Sequence, residues 1–514
     1  MNVLAIDLGT TACKAGVVAI DGEVLGSGLS RLITIFGPDG AAEQDGDAIW
    51  SATLEACRQA LVDAGSSAAQ AVSAICVTSQ WSSIVPIDAD GRPVAPLHMW
   101  FDRRGGDLTA ALIDDDRAAA ARWSEIHGFA PSSSLGHILW FQEQSEVHRR
   151  AAAYVEPMDY LNARFTGRIA ATANSVMPLA LTDNRTLGSI AWSSELVERA
   201  GVDPARLPPL TPSLAVLARV RPDVAAELGI RHDVDVVTGA NDSIAGAFGS
   251  GAFEPGQGTI MMGTTGVLTV HHRTRHVDTE RFIVTMPSAL EDRYYVVAEG
   301  GLGGKLIELA LTGIAGAGAN GDPTASDFEQ VMDAAGRSTP GAEGVLFLPW
   351  VLGALSPAPD ARHRGAFLGL SLSTSPDDLA RAMLEGISMQ MRWLTDEVEA
   401  ALDTPFDVIR FVGGGASSDI WSAILADVVG RPIEQVADPR HANSRGAALM
   451  AFVSTDQLSI ADLSALVPVR RRYEPDPVTR SLYDQRLDVV RELHATLGEP
   501  VSRLTSSSTT GEPT

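Results

Sequence analysis

Apolar residues follow two rhythms along the chain. Residues 3–8 (Val-Leu-Ala-Ile-Asp-Leu) and 15–20 read as strands joined by the turn Gly9-Thr10-Thr11, with a second turn at Asp21-Gly22. This is a β-hairpin with a Gly-Thr-Thr corner. The pattern returns about half a chain later, in residues 258–262, Gly263-Thr264-Thr265-Gly266 and residues 267–270. Nothing shorter repeats, so two similar α/β halves are expected rather than a solenoid. Between the hairpins, helical spacing over 47–64 and 108–123 alternates with apolar runs at 72–78 and 234–238, the rhythm of βα units. Beyond the second hairpin the pattern predicts a helix from Lys305, another over 378–401, a strand at 408–412 and a helix over 420–429. The glycine-rich stretch 316–322 reads as a flexible loop and the polar end, 506–514, as a disordered tail.

Length and composition narrow the picture. A chain of 514 residues exceeds one ordinary core and suggests two domains. Its 45% hydrophobic and 20% charged residues are those of a packed globular protein. With 39 basic against 64 acidic side chains the net charge is −25, which repels phosphate backbones and argues against a nucleic-acid partner. A bound anion must then be held by local devices. Three cysteines, Cys13, Cys57 and Cys76, form no CxxC pair and no disulfide framework. The N-terminus lacks a basic n-region, and no uncharged apolar run reaches the roughly 18 residues of a membrane helix. The reading is a cytoplasmic protein with no membrane partner. Lysine occurs only at Lys14 and Lys305, so 39 minus these two leaves 37 arginines.

Four stretches carry candidate chemistry. In Asp7-Leu8-Gly9-Thr10-Thr11-Ala12-Cys13-Lys14, the glycine lets backbone N–H groups approach an anion and the threonines add donors. Asp7, at a strand end beside such a cradle, suits a hydrated Mg²⁺. An ordinary hairpin turn is the better account of one such corner alone; the second, Gly263-Thr264-Thr265, makes a two-sided polyphosphate clamp the better reading of the pair. Asp242, in Gly239-Ala240-Asn241-Asp242-Ser243, follows a strand, where ligands of α/β folds gather. It is placed either to accept a proton from an attacking hydroxyl or to cap a helix. Phe411-Val412-Gly413-Gly414-Gly415-Ala416 runs a strand through three glycines towards a helix start, a turn that favours a nucleotide. Gly300-Gly301-Leu302-Gly303-Gly304-Lys305-Leu306 lacks the spacing and the Ser or Thr of a Walker A loop. His271, His272 and His276 read as a solvated strand edge rather than a metal site.

Together these residues resemble the FGGY carbohydrate kinases of the actin-like ATPase (ribonuclease H-like) superfamily, colinearly from residue 3 to about residue 452. Trp100-Phe101-Asp102-Arg103-Arg104, Met158-Asp159-Tyr160-Leu161, Arg364-Gly365-Ala366-Phe367 and Glu385-Gly386 fill in the intervening landmarks. The resemblance implies an α/β protein with two ribonuclease H-like domains flanking a central catalytic cleft. These would be a sugar-binding N-terminal domain over 1–245 and an ATP-binding C-terminal domain over 246–496, before a disordered 497–514. It also implies a homodimer, and ATP and Mg²⁺ as cosubstrate and cofactor.

The implied roles are Asp242 as base, Asp7 for the metal, and Thr10, Thr11, Lys14, Gly263, Thr264, Thr265, Gly414, Gly415 and Ala416 for the nucleotide. Gln80, Trp81, Trp100, Asp102 and Asn241 form the implied sugar face. The chain departs from the pattern where substrate is chosen. It has Ser79-Gln80-Trp81-Ser82 where xylulose kinases carry Gln-Met-His and glycerol kinases Gln-Arg-Glu. A neutral tryptophan and serine favour an uncharged polyol or ketose over a sugar acid. A pentulose such as xylulose leads, with tetritols, pentitols and glycerol as alternatives. A non-catalytic actin-like chaperone or filament subunit has no need of Asp242 or the Trp100 segment. A degenerate sugar-responsive regulator is the remaining alternative from another class.

Overall fold

The computed structural model describes residues 1–113, 116–314 and 324–506. Stretch 316–322 and the tail from 507 onward lie outside the described residues.

Two sheets organise the molecule. The first contains β1 (Asn2–Leu8), β2 (Ala12–Ala19), β3 (Val24–Arg31), β4 (Val72–Ser79), β5 (Val216–Arg219) and β6 (Asp235–Val237), in the order β5-β6-β4-β1-β2-β3. β1 to β3 form an antiparallel meander, β1, β4 and β6 run parallel, and β5 closes the edge antiparallel. The second contains β7 (Gln257–Met262), β8 (Thr265–His272), β9 (Ile283–Pro287), β10 (Tyr294–Leu302), β11 (Val408–Val412), β12 (Ile433–Val436) and β13 (Val469–Tyr473). Its order, β9-β10-β8-β7-β11-β12-β13, repeats that plan with β9 added at one edge. The Gly-Thr-Thr corners join β1 to β2 and β7 to β8, as their flanking runs predict.

Helices cover the sheets. α1 (Gly46–Gln70) packs on the first meander, its N-cap Asp45 accepting from the N–H groups of Asp47 and Ala48. Stretch 108–123 is two helices, Gly106–Ala110 and Arg117–Ile126, rather than one. α2 (Asp242–Ser250) spans the expected domain boundary at 245/246. In the second half follow α3 (Gly304–Leu309), α4 (Ala325–Arg337), α5 (Pro376–Leu402), α6 (Asp419–Val429), α7 (Ala442–Ser454) and α8 (Arg480–Ser506). α8 corrects the expectation of disorder from 497. Tyr483, Leu487 and Val490 anchor it in the C-terminal core, and Leu493 and Leu497 extend the same stripe, so the helix persists to Ser506.

The N-terminal half has two apolar cores and the C-terminal half one, and a fourth core joins the halves. It contains Val3, Ala5 and Val237 from the first sheet, Val412 and Val436 from the second, and the facing sides of α2 and α7. These two helices cross at glycines. A Cβ on Gly446 would lie 1.7 Å from the Ala245 carbonyl oxygen, and one on Gly249 would lie 1.8 Å from that of Ala442. His271 is not at a solvated edge. Its ring is buried, stacks on Phe253 at 5.6 Å and shares a hydrogen bond with the Ser288 hydroxyl at 3.1 Å.

Candidate active site

Both candidate carboxylates stand at element ends beside the α2/α7 crossing. Asp7 is the second-last residue of β1 and pairs in register with Lys14 on β2, so the two side chains leave the sheet on the same face. Burial raises the Asp7 pKa; the Lys14 charge and the Asn443 amide, which donates to Asp7 Oδ2 at 3.4 Å, work against that shift. Asp242 is the first residue of α2. The preceding Asn241 caps the helix, its Oδ1 accepting from the Ile244 N–H at 2.9 Å, while Asp242 Oδ1 accepts from the Ser243 N–H at 2.8 Å. Asp242 is therefore not spent on capping. Burial first, and then the charge of Asp7, pushes its pKa up to about 7. Asn241 Nδ2 is buried with no partner among the described residues, a donor open to a ligand.

The expected sugar face divides. Gln80 is buried and tied to the first corner: its N–H donates to the Leu8 carbonyl at 2.7 Å and its Oε1 accepts from the Thr10 hydroxyl at 2.9 Å. The Trp100 indole N–H donates to Thr10 Oγ1 at 3.3 Å. Thr10 thus spends its hydroxyl proton on Gln80, while Thr11 beside it is exposed. Asp102 does not face the cleft. Its Oδ2 accepts from the Ala42 N–H at 2.8 Å and the Arg104 guanidinium at 2.6 Å, and its Oδ1 from the Arg104 N–H at 2.9 Å. It is a buried clasp, because a carboxylate in a water-free site must be paired. Trp81 donates to the Ser175 carbonyl at 3.2 Å and lines a cavity of about 1130 Å³ between the halves. Ser82 beside it has φ of 63°, a left-handed conformation stabilised where the Ser83 N–H donates to the buried Glu156 carboxyl at 3.1 Å.

The second corner builds a different space. The Gly303 N–H donates to the Thr264 carbonyl at 2.9 Å and the Gly304 N–H to that of Gly263 at 2.8 Å, so the start of α3 is laced to the turn. Gly413, with φ of 88°, lies so close to β7 that a Cβ would sit 2.7 Å from the Met262 carbonyl oxygen. Between these segments and α4 is a cavity of about 520 Å³ lined by Met262, Gly263, Thr264, Gly304, Lys305, Phe328, Met332, Gly414, Gly415 and Ser417, among others. Apolar side chains line one wall, and turn backbone and Lys305 another. Thr265 begins β8 rather than lining this cavity. Ala416 departs from expectation: its side chain is in the core, and the lining passes from Gly415 to Ser417. Lys305, Asn443 and Glu299 were not among the expected site residues. The glycine-rich stretch ending in Lys305 pointed to the first; nothing local points to the other two.

The duplicated sheet plan and the carboxylate pair at its hinge define a two-domain α/β enzyme. The same fold occurs in the ligand-bound xylulose kinase of Lactobacillus acidophilus, with a TM-score of 0.85 at 21% identity over 98% of this chain and 99% of that one. The N-terminal domain model of the FGGY family of carbohydrate kinases matches residues 2–249 and its C-terminal domain model residues 258–455. The chain belongs to that family and is an ATP-dependent sugar kinase. Over 499 residues it is 27% identical to the xylulose kinase of Escherichia coli, covering 96% of this chain and 99% of that protein. It is 24% identical to the gluconokinase of Bacillus subtilis, covering 92% and 91%. Among the described residues no helix is long and apolar enough to cross a membrane.

Proposed function

We propose that the chain transfers the terminal phosphoryl group of ATP to a hydroxyl of a small neutral sugar, a pentulose of the xylulose type, with Asp242 as the base. The substrate oxygen attacks the terminal phosphorus in line. The bond to the bridging oxygen breaks as the new P–O bond forms, and the hydroxyl proton passes to the Asp242 carboxylate. The observation that carries this reading is Asp242 itself: held at a helix start with an uncommitted oxygen and a pKa near 7, it is matched to accept a proton at neutral pH.

The other roles follow the geometry. Gly263, Thr264, Gly414 and Gly415, with Lys305, line the nucleotide cavity of the C-terminal half. Thr11, Lys14 and the first turn face the phosphates from the N-terminal half. Gln80, Trp81, Trp100 and Asn241 form the sugar face, while Asp102 holds the Trp100 segment in place through Ala42 and Arg104. Two carboxylates whose ionisation burial opposes, with Asp7 further raising the pKa of Asp242, fit a hydrated divalent cation. Mg²⁺ held through Asp7 would neutralise polyphosphate charge.

Trp81 and Phe129 on the inter-half cavity support a neutral substrate: their faces suit sugar C–H surfaces, and Arg275 there donates to the Glu125 and Ser124 carbonyls. The gluconokinase relative favours an aldonic acid as the second reading. ADP release measured across pentuloses, tetritols, pentitols, glycerol and gluconate, with Asp242→Asn as blank, tests both. A pentulose response is expected; a response to gluconate alone would overturn the neutral reading.

A further inference from the structure

Among the described residues, two carboxylates on the inter-half cavity have no hydrogen bond or ion pair, the exposed Glu280 and the half-buried Glu299. Glu299 lies on β10 opposite Val267 of β8. Its side chain is half-buried, and no hydrogen bond or ion pair engages it among the described residues. Burial alone raises its pKa, with no cation or donor opposing the shift. Asp102, Asp183, Asp360 and Glu385 each grip an arginine, whereas the Glu299 carboxylate, partly desolvated on the wall of a cleft, keeps its lone pairs for a ligand.

Its position says what kind of partner. Tyr295, Val297 and Glu299 share one face of β10, since side chains alternate along a strand. At one end of that face the Tyr295 hydroxyl donates to the Ser243 carbonyl at 2.8 Å, next to Asp242. Just beyond the other end, Gly303 and Gly304 are bonded to the phosphate turn at Thr264 and Gly263. Glu299 thus lies along the strand between the Tyr295 contact beside Asp242 and the Thr264 corner, and it lines the same cavity as Trp81 and Phe129. A carboxylate there accepts hydrogen bonds and cannot donate them while ionised. It rewards a ligand rich in hydroxyl donors and repels one that carries its own carboxylate.

From this geometry we propose that Glu299 is a specificity-determining residue. It accepts hydroxyl hydrogen bonds from a neutral polyhydroxy substrate and excludes aldonic acids from the cleft. The proposal rests on the neutral-sugar reading of the site and goes further by naming the group that enforces it.

The test uses the full chain with Glu299→Gln and Glu299→Asp, the latter keeping the charge on a side chain one methylene shorter. For each, kcat and KM are measured for the best neutral sugar and for gluconate, with ATP affinity by calorimetry as the readout of an intact nucleotide half. Glu299→Gln should raise KM for the neutral sugar at least tenfold with kcat changed less than threefold. It should also raise the ratio of kcat/KM for gluconate to that for the neutral sugar at least tenfold. Glu299→Asp should keep the wild-type discrimination against gluconate. An unchanged KM and ratio in Glu299→Gln, in an enzyme whose wild type prefers the neutral sugar, overturns this proposal and leaves the neutral reading standing. A wild type that prefers gluconate overturns the neutral reading, and this proposal with it. Loss of ATP affinity in both variants assigns Glu299 to the fold and likewise overturns the proposal.

Discussion

Replacing Gly446 by alanine tests whether the crossing of α2 and α7 is what places the two carboxylates. The new Cβ would lie 1.7 Å from the Ala245 carbonyl oxygen, where such contacts do not fall below 3.0 Å. The obstacle is backbone, so no rotamer relieves it, and the helices must part by about 1.3 Å. Overpacking of this kind costs about 3 kcal/mol. Unfolding entropy near 2.1 cal/mol/K per residue gives about 1 kcal/mol/K for the whole chain, so Tm should fall by about 3 °C.

The functional cost should be larger. Asp242 begins α2, and Asn443, which donates to Asp7, is on the first turn of α7. A separation of about 1 Å at a reacting centre costs on the order of 100-fold in rate, so kcat should drop about that much. ATP affinity should change little, because the cavity proposed for the nucleotide is lined by other elements. The control is Gly106→Ala: a Cβ there meets nothing within 4 Å, so it should be neutral or mildly stabilising. Melting curves and steady-state kinetics on the three proteins suffice. Gly446→Ala with a Tm within 1 °C of the parent and more than half its kcat would refute the claim that this crossing sets the geometry of the site.

Five further outcomes are expected. Asp242→Asn should lower kcat by about 10³-fold, the usual worth of a positioned base, while calorimetry shows ATP still bound. In the parent, kcat/KM for ATP should rise with pH through about 7, because the base works deprotonated. The same group costs stability. Its pKa is raised in the folded state above the ordinary 3.8, so its contribution is fully present below about pH 4 and is lost as pH rises to about 7. Asp242→Asn should therefore raise Tm at pH 8 and not at pH 4; equal shifts at both would contradict the buried-carboxylate argument. Finally, Gly414→Ala, whose Cβ meets nothing within 4 Å, should keep Tm but raise the ATP KM about tenfold by entering the nucleotide cavity. Gly415→Ala, meeting Met262 at 2.7 Å and Trp421 at 2.9 Å, should instead lose about 1–3 kcal/mol of stability.

What could be read from the sequence was what local chemistry encodes. Each Gly-Thr-Thr corner lies between apolar runs of strand length, so its hairpin needs no distant information, and Val408–Val412 reads as a strand for the same reason. Asp242 was marked by its place after a strand. The misses are residues whose meaning depends on distant partners. Asp102 looks like a substrate ligand until Ala42 and Arg104 fill its lone pairs. Asn443 meets Asp7 across 436 residues of chain, a contact created by packing α7 against α2. Glu299 is an ordinary strand residue until the packing of the two halves makes it line a cavity with Trp81. The helical end at 497–506 was hidden because its apolar stripe makes sense only against a core built from earlier segments.

The charge of −25 and the scarcity of lysine meet at the cleft. Arginine here works in forks: Arg104, Arg185 and Arg362 each grip the Asp two residues before, and Arg221 and Arg231 the Asp two residues after. A planar guanidinium held that way satisfies one carboxylate in a fixed geometry and is not available to a moving phosphate. Lysine offers a compact charge on a flexible stem, and both lysines stand at the proposed phosphate corners. Lys14 is paired in register with Asp7, and Lys305 lines the nucleotide cavity beside Glu308. The division has a physical rationale, because the transferred group changes position during the reaction and a point charge can follow it where a fork cannot. An acidic chain holds a polyphosphate, on this reading, by assigning its forked arginines to the fold and leaving the site to turn backbone, the two lysines and Arg440, which lines the same cavity with no ion pair among the described residues.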